Sequence, residues 1–294
     1  MSTDEVNPVS VVIPTLGRPK LLRACLEALA QSRPRADEIL VVDQSGDPAV
    51  AGVVDEFAVM GARLVPCDGR GVSLGRNMGL RHAKHEIVLV TDDDCRVAPD
   101  WVATGWRLIE ADSEKIVTGR VLPVGDPRAV PSTIDDPLAR DYTGEAQGGL
   151  LFPNNMVVNR SLVLADGGFD ERFGPDEAAE DNEFCYRWLR AGRRLMYEPQ
   201  LTVWHDDWRS PEDLERLYAR YARGEGFFYA KHLRQGDLRV LRFIARDLVW
   251  ALRSLASAVV KQRPRWTDHR RATLRWLPGG FVHGWRVYGS DRRR

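Results

Sequence analysis

Residues 86–94 read Glu-Ile-Val-Leu-Val-Thr-Asp-Asp-Asp, an apolar run that is followed directly by three carboxylates. The run is typical of a buried strand, and in open α/β folds ligands bind outside the carboxyl ends of such strands. Asp92, Asp93 and Asp94 would repel one another there, and a divalent cation together with a nucleoside diphosphate would relieve that repulsion. A solvated acidic turn is the alternative, because aspartate is common in turns.

The segments around this run alternate between strand and helix patterns. Strand patterns occur at 9–13, 38–42 and 63–66, and helical spacing of apolar residues occurs at 20–32, 49–60 and 73–83. Short turns link these segments, which predicts an α/β fold with a Rossmann-like parallel sheet and helices on both faces. Right-handed crossovers would then place Thr15, Asp43 and the aspartate triplet along one edge of the sheet, in a single cleft.

The pattern continues beyond residue 100 with further elements. We expect helices at 101–111, 161–166 and 178–191, and strands at 115–121, 155–159, 194–198 and 201–204. Prolines and other turn formers between residues 123 and 150 predict a long loop of the kind that serves as a lid or binding loop. Five aromatic residues can either stack on the faces of a bound ligand or pack in the core; they are Trp204, Trp208, Phe227, Phe228 and Tyr229.

The longest predicted helix covers residues 237–262. Its apolar residues recur at the period of one helical face, namely Val240, Leu241, Ile244, Leu248, Leu252, Leu255 and Val259. Four arginines at 239, 242, 246 and 253 are predicted on the opposite face. The pattern fits a helix packed on the rest of the protein with a solvated basic side, and it equally fits a helix at the surface of an anionic membrane.

The overall composition indicates a globular protein whose charge is unevenly distributed. The chain has 294 residues, is 44% apolar and 29% charged, and has a formal net charge of zero. Residues 1–206 contain 22 basic and 33 acidic residues, whereas residues 207–294 contain 20 basic and 9 acidic residues. An acidic body argues against nucleic acid as a partner, while the basic segment suggests contact with a polyanion or an anionic membrane.

The cysteines and the amino terminus indicate the cellular compartment of the protein. The four cysteines, Cys25, Cys67, Cys95 and Cys185, lack the paired spacing of zinc or iron–sulfur sites, which favours a reducing cytosol. The amino terminus is acidic, unlike a signal peptide, and no stretch reaches the roughly 18 apolar residues that span a bilayer. We therefore expect a cytoplasmic protein, either soluble or peripheral on the inner face of the membrane.

Six separated motifs occur in a characteristic order. They are Val12-Ile-Pro-Thr15, Val41-Val-Asp43, Gly75-Arg-Asn-Met-Gly79, Thr91-Asp-Asp-Asp94, Gly167-Gly-Phe-Asp-Glu-Arg-Phe173 and Glu180-Asp181. Their order and rough spacing resemble those of the inverting family 2 glycosyltransferases of the GT-A fold, over residues 8 to 206. The resemblance implies a mixed, mainly parallel sheet with helices on both faces, followed by a carboxy-terminal helical extension.

The resemblance also implies a domain organisation. Residues 1–206 would form the catalytic domain, with the nucleotide-sugar half at about 8–110 and the acceptor half at about 111–206. Residues 207–294 would form the basic helical extension, which carries no motif of comparable strength.

The resemblance assigns the donor nucleotide to residues at the strand ends. Pro14 and Thr15 would meet the base through backbone and hydroxyl groups, Asp43 would accept a hydrogen bond from a base imide, and Arg76 would bind phosphate or base. Asp92 and Asp93 are assigned to the ribose hydroxyls or to a water-mediated metal contact. Each of these residues also has a structural alternative. Pro14 and Thr15 can form an ordinary turn, Asp43 can be a capping carboxylate, and Arg76 can form a surface salt bridge.

A metal site is implied at the end of the aspartate triplet. Asp94 is its firmest ligand by resemblance, Asp92 can contribute, and His205 would complete the coordination as a histidine does in several related enzymes. The ion would be Mn²⁺ or Mg²⁺, and imidazole tolerates Mn²⁺ better. A lone histidine is more often structural, and that alternative stays open for His205.

The acceptor side is assigned to the last two motifs. Asp181 matches the general base that takes the proton of the acceptor hydroxyl in direct displacement, and capping of a helix amino terminus is its alternative. Gly167 and Gly168 would form a tight turn under the acceptor, with a plain turn as the alternative. Glu180 is placed on the same side.

Three functions are compatible with these residues. The first is transfer of a hexosyl or deoxyhexosyl group from a UDP-, dTDP- or GDP-sugar to a hydroxyl acceptor, such as a bacterial-type lipid-linked glycan or polysaccharide. The second is nucleotidyl transfer that makes a nucleotide sugar, although Thr15-Leu-Gly-Arg-Pro19 is a poor version of the basic glycine-rich loop that this chemistry uses. The third is a noncatalytic module that binds a nucleotide sugar.

Overall fold

The structure is a computed structural model that describes residues 6–127, 130–144, 149–206, 209–261 and 266–290; for 254–270 and residue 290 no side chain is described. The chain divides into two compact units. Unit 1 comprises Met1–Glu171 and Phe184–Trp208, and unit 2 comprises Arg172–Glu183 and Arg209–Arg294. The division into domains at residue 206 stays a prediction.

Unit 1 contains the alternating elements that the sequence predicts. Its strands are β1 (Val6–Thr15), β2 (Arg35–Asp43), β3 (Ala62–Pro66), β4 (Ile87–Thr91), β5 (Cys95–Val97), β6 (Lys115–Val124), β7 (Arg140–Tyr142), β8 (Asn155–Asn159) and β9 (Arg194–Asp206). Its helices are α1 (Pro19–Ala30), α2 (Pro48–Glu56), α3 (Val72–His82), α4 (Trp101–Glu110) and α5 (Arg160–Ala165), with a single 3₁₀ turn at Ala58–Met60. Helix α6 (Glu180–Arg190) begins in unit 2 and ends in unit 1.

The strands form one mixed sheet. Its order is β3-β2-β1-β4-β8-β6-β9-β5, and β7 pairs with β9. The pairs among β3, β2, β1 and β4 are parallel, as predicted, and so is the pair of β6 with β9. Strand β8 is antiparallel to both β4 and β6, and β5 and β7 are antiparallel to β9. The mixed α/β fold expected from the sequence is therefore confirmed.

Strand β9 corrects one prediction. The sequence predicts two strands, 194–198 and 201–204, but the structure has one continuous strand with an irregularity in its pairing with β6. Glu198 pairs with Gly119, and the next pair joins Thr202 to Arg120. Three residues of β9 that include Pro199 therefore bulge out of the ladder, as expected because proline lacks the N–H that a ladder needs.

The segment 123–150 is less irregular than the sequence predicts. Strand β6 continues to Val124, Ile134 forms an isolated bridge with Val121, and β7 lies at Arg140–Tyr142. The prediction of an unstructured loop is therefore wrong for these parts. Residues 128–129 and 145–148 of the predicted loop lie outside the described residues.

The core of unit 1 follows from the apolar spacing of its elements. Helix α1 buries Leu22, Cys25, Leu26 and Leu29 on one face, and α4 buries Trp101, Val102 and Ile109. The indole N–H of Trp101 donates to Asn155 Oδ1 at 2.8 Å, so the buried ring also satisfies its polar atom. Apolar residues of β1, β2 and β4 belong to the same buried cluster as these helix residues and complete the core.

Unit 2 consists mainly of three long helices, α7 (Pro211–Arg234), α8 (Val240–Lys261) and α9 (Trp266–Ser290). A capping box between Ser210 and Asp213 begins α7. Gly280 of α9 lies so close to α7 that a Cβ there would collide with the carbonyl of Arg223. In the part of the chain that the structure describes, no helix combines the length and apolar character needed to cross a membrane.

The aromatic residues mostly pack in the core. Phe227, Phe228 and Tyr229 of α7 are buried, and Trp204 of β9 is half-buried. Trp208 lies outside the described residues. Packing is therefore the observed role for the residues of α7.

Candidate functional site

Three strand ends meet at one edge of the sheet in unit 1, as predicted. Thr15 at the end of β1 is in register with Asp43 at the end of β2. The Thr15 hydroxyl donates to Asp93 Oδ2 at 2.5 Å, across 78 residues of sequence. The ends of β1, β2 and β4 therefore bring the predicted polar residues to one place.

Asp93 is the buried centre of this edge, with 0% exposure. Its carboxylate accepts from Thr15 and from Arg18 Nε, the latter at 3.1 Å, and a second guanidinium nitrogen of Arg18 pairs with its other oxygen. Burial raises the pKa of Asp93 to about 7, aided by the charge of Asp94 and opposed by Arg18. The observed role of Asp93 is to tie β1 to β4.

Sequence reasoning missed Arg18 as a site residue. Gly17 takes a φ of +67°, and the turn after β1 brings the guanidinium to Asp93 and to Asp94 Oδ2, which lies 3.0 Å from Arg18 Nη1. This cation offsets part of the repulsion among the three adjacent carboxylates, because it pairs with two of them. A basic residue in the turn after one strand, beside a strand that ends in acids, is the signal that could have identified it.

Asp94 and His205 form the best candidate metal site. Strand β5 pairs with β9 so that Cys95 is opposite His205, and His205 Nε2 lies 3.4 Å from Asp94 Oδ1. Among the described residues, the ligand atoms of Asp94, Cys95 and His205 all lie within 4.8 Å of one another. Both Asp94 and His205 are buried, at 2% and 3% exposure.

The donor chemistry of this group fits a divalent cation. Burial, with the charge of Asp94, raises the pKa of the Cys95 thiol well above its usual value, and a soft thiol suits Mn²⁺ or Mg²⁺ less well than oxygen and imidazole donors do. One carboxylate and one imidazole remain, a set that suits Mn²⁺ better than Mg²⁺. Asp92, also predicted as a ligand, is outside the group identified among the described residues.

Asp92 faces Arg76 instead. Arg76 Nη2 lies 3.5 Å from Asp92 Oδ1, and the two side chains are 5% and 28% exposed. Arg76 is positioned by α3, which packs close to β1 because Gly79 has no Cβ to collide with Val12. Arg76 therefore forms an ion pair with Asp92 in which the arginine itself is buried. This differs from the surface salt bridge that was its structural alternative.

Asp43 and Pro14 have observed structural roles. The Asp43 carboxylate accepts from the amide and hydroxyl of Ser45 at 2.9 and 2.6 Å, and from the amide of Gly46 at 3.1 Å. These bonds hold the turn after β2, as the capping alternative expects. Pro14 is paired within β1 beside Val42 of β2. Recognition of a base by either residue stays a prediction.

Gly167 and Gly168 form the predicted tight turn, with φ of +87° and +64°. Asn77 of α3 clamps the residue that follows: its Nδ2 donates to Phe169 O at 2.7 Å, and its Oδ1 accepts from Phe169 N at 2.9 Å. A Cβ at Gly168 would lie 2.6 Å from Asn77 Oδ1. Sequence reasoning missed Asn77 although it lies inside a quoted motif.

Glu180 and Asp181 lie in unit 2, in the first turn of α6. Glu180 is buried and Asp181 is half-buried, and Asp181 Oδ1 accepts from the amide of Asn182 at 2.7 Å. Acidic residues here also complement the helix dipole. Asn182 Nδ2 donates to Glu225 Oε1 of α7 at 2.7 Å, which ties this turn to α7. The role of Asp181 as base and the role of Glu180 on the acceptor side stay predictions.

Comparisons with known proteins agree with the family that the motifs indicate. The model of the family described as glycosyl transferase family 2 matches residues 10–154. An uncharacterized glycosyltransferase of Haemophilus influenzae is 30% identical over 195 residues, which cover 62% of this chain and 68% of that protein. Two further relatives are longer than this chain. The alignment covers 58% of the probable glycosyltransferase YdaM of Bacillus subtilis and 42% of the pre-mycofactocin glycosyltransferase of Mycobacterium tuberculosis.

Two solved structures share the fold at low sequence identity. Residues 1–349 of S. aureus TarS, solved in complex with UDP, align with a TM-score of 0.59 and 18% identity, covering 98% of this chain and 92% of that chain. The mannosyltransferase PcManGT from Pyrobaculum calidifontis, in complex with GDP-Man and Mn²⁺, aligns with a TM-score of 0.62 and 19% identity, covering 96% of this chain and 89% of that chain.

Proposed function

The chain belongs to glycosyl transferase family 2 and has the GT-A fold, and we propose that it is an inverting, metal-dependent glycosyltransferase. It moves a hexosyl or deoxyhexosyl group from a nucleoside diphosphate sugar to a hydroxyl acceptor. The observation that carries the proposal is the carboxylate edge of unit 1, where Asp94 faces His205 beside Asp92 and Asp93.

The donor nucleotide binds along this edge. Pro14, Thr15 and Asp43 meet the base, and Arg76 binds phosphate or base. Asp92 is the least buried member of the triplet, at 28% side-chain exposure, and would meet ribose hydroxyls or a metal-bound water, whereas Asp93 acts mainly by fixing Thr15 and Arg18. UDP in one structural neighbour and GDP-Man in another support a diphosphate donor, and dTDP stays a candidate.

Asp94 and His205 would hold the divalent cation, and Asp92 would contribute to the same site. The carboxylate and imidazole donors favour Mn²⁺, which is also the ion in the mannosyltransferase neighbour. When bound, the ion supplies positive charge that stabilises the departing diphosphate. Burial of both side chains restricts competing water at these ligands.

Asp181 accepts the proton of the acceptor hydroxyl. As that oxygen forms its bond to the anomeric carbon, the bond from this carbon to the diphosphate oxygen breaks, and the nucleoside diphosphate leaves with the electron pair. The configuration inverts because attack and departure occur on opposite sides. Glu180 and the turn at Gly167 and Gly168 contribute to the acceptor side.

The replacement Asp181→Asn tests this assignment. It removes the proton acceptor while keeping size and shape, so we expect turnover to fall by roughly 10²–10⁴-fold with an unchanged dissociation constant for the donor. Release of nucleoside diphosphate gives the rate, and calorimetric titration of UDP-, GDP- and dTDP-sugars with Mn²⁺ gives the donor affinity. Asp176→Asn, an exposed carboxylate in the same unit, is the matched control.

Three results would contradict the proposal. Undiminished turnover of Asp181→Asn would exclude the base, and release of pyrophosphate in place of a nucleoside diphosphate would indicate nucleotidyl transfer. Donor binding without transfer or donor hydrolysis across a broad acceptor panel would indicate a noncatalytic module.

The proposed acceptor is a lipid-linked glycan or polysaccharide at an anionic membrane. Residues 237–294 contain 14 basic and 4 acidic residues, and such a segment is attracted to anionic lipid headgroups. Membrane contact through this segment would bring the enzyme to a lipid-linked acceptor. Co-sedimentation with anionic vesicles tests this contact.

A further inference from the structure

The packed face of α8 differs from the face that the sequence favours. Val240, Phe243 and Ala251 are buried, at 0%, 8% and 0% exposure. They follow one another at helical spacing and define the side on which α8 packs within unit 2. The sequence groups Val240 with Leu241, Ile244, Leu248, Leu252, Leu255 and Val259. Val240 is buried and Ile244 is half-buried, whereas Leu241, Leu248 and Leu252 are exposed, and Leu255 and Val259 lie outside the described side chains.

A second apolar face of α8 is exposed. Leu241, Leu248, Val249 and Leu252 are 49%, 38%, 45% and 58% exposed, and we call these four residues the α8 stripe. Leu241, Leu248 and Leu252 recur at intervals of seven and four residues, so they form one row along the helix. Exposed leucines that are aligned in a row mark an interaction surface more strongly than scattered ones do.

Arginines lie around the helix between the α8 stripe and Phe243 of the packed face, with Cζ of Arg242 and Arg246 at 5.0 and 5.4 Å from the centre of the Phe243 ring. Arg242, Arg246 and Arg253 are all exposed and recur at helical spacing. Arg246 also pairs with Asp247 at 3.0 Å, and this aspartate lies toward the packed side. Around the helix the order is therefore packed face, apolar stripe and basic row.

We propose that the α8 stripe inserts into the interfacial region of an anionic lipid bilayer, with Arg242, Arg246 and Arg253 at the level of the headgroups. An apolar row flanked by arginines is the pattern of helices that lie in the plane of a membrane surface. The excess of basic residues in 237–294 makes an anionic surface the electrostatically matched occupant. The inference rests on the proposed membrane contact of that segment and names the surface that makes it.

The test uses the full chain and vesicles of phosphatidylcholine with or without phosphatidylglycerol. Leu241→Gln/Leu252→Gln should lower the partition coefficient on anionic vesicles by roughly tenfold or more. Arg242→Gln/Arg253→Gln should lower it by a similar factor and should also weaken its dependence on salt. Val59→Gln, which replaces a 90% exposed residue of unit 1, and Arg107→Gln are the matched controls.

A label measures insertion independently of these variants. All four native cysteines are buried, so a nitroxide can be attached selectively to Leu248→Cys, with Val59→Cys as the solvent reference. On anionic vesicles the label at 248 should become accessible to oxygen and protected from a polar relaxation agent, whereas the label at 59 should not change.

The possible failures are distinguishable. If the wild-type chain binds anionic vesicles but the leucine variant binds equally well, another part of 237–294 makes the contact and the α8 stripe is wrongly assigned. If the wild-type chain does not bind, the membrane contact itself is wrong, while glycosyl transfer to a soluble acceptor is unaffected. A concentration-dependent dimer that Leu241→Gln/Leu252→Gln dissociates would show a second copy on the stripe and would overturn the inference.

Discussion

Lys231→Met should destabilise unit 2 by breaking a buried ion pair. Lys231 Nζ donates to Glu183 Oε1 at 2.6 Å, and the two side chains are 5% and 0% exposed. Glu183 lies in the same first turn of α6 as Asp181, so this pair fixes the turn that carries the proposed base. The substitution keeps the apolar part of the side chain and removes only the charge.

The size of the effect follows from the burial of both partners. Removing one member of a buried ion pair costs about 3–5 kcal/mol. His232 Nε2 lies 3.2 Å from the same oxygen of Glu183, and this contact offsets about 1–2 kcal/mol. We therefore expect the free energy of unfolding of unit 2 to fall by about 1–4 kcal/mol, with a central value of about 2.5 kcal/mol.

Urea denaturation measures this change. With a slope of about 2 kcal/mol per molar urea, the midpoint should shift by about 1 M. The double variant Lys231→Met/Glu183→Gln should have a free energy of unfolding within about 1 kcal/mol of that of the wild type, because no buried charge is then left without its partner. Lys231→Arg is the control that keeps the charge. A single variant as stable as the wild type, or a double variant no better than the single one, would refute the reasoning.

Three other changes have defined outcomes. Gly79→Ala places a Cβ against β1 and should cost about 1–3 kcal/mol of unfolding free energy in urea, whereas Gly52→Ala, with open space around it, should be neutral or stabilising. Burial and the charge of Asp247 raise the pKa of Glu225 to about 7, so its contribution to stability is present at low pH and lost as the pH rises through that value. Thermal or urea unfolding should therefore show a loss of stability of about 3 kcal/mol between about pH 4.5 and 7 that Glu225→Gln lacks. His205→Gln should weaken donor binding by roughly tenfold or more with Mn²⁺ and less with Mg²⁺ in calorimetric titration, and equal losses with both ions would contradict its role as a ligand.

The amino-acid sequence by itself determined the alternating architecture and the family. Strands such as β4 and helices such as α1 are encoded by local apolar periodicity, which neighbouring residues alone specify. The rule that parallel strands end at a common edge was enough to bring Thr15, Asp43 and the aspartate triplet together. The six motifs identified the family that the comparisons confirm.

The tertiary structure decided which partners those residues have. Asp94 contacts His205, which is 111 residues later in the sequence, and Arg18 contacts Asp93, which is 75 residues later. No local sequence pattern carries information over such separations. Helix α8 has apolar residues on more than one side, so periodicity could not tell that Ala251 would be buried while Leu252 stayed exposed. Packing selects one face by the fit of its side chains to the neighbouring helices, and this fit exists only once the chain has folded.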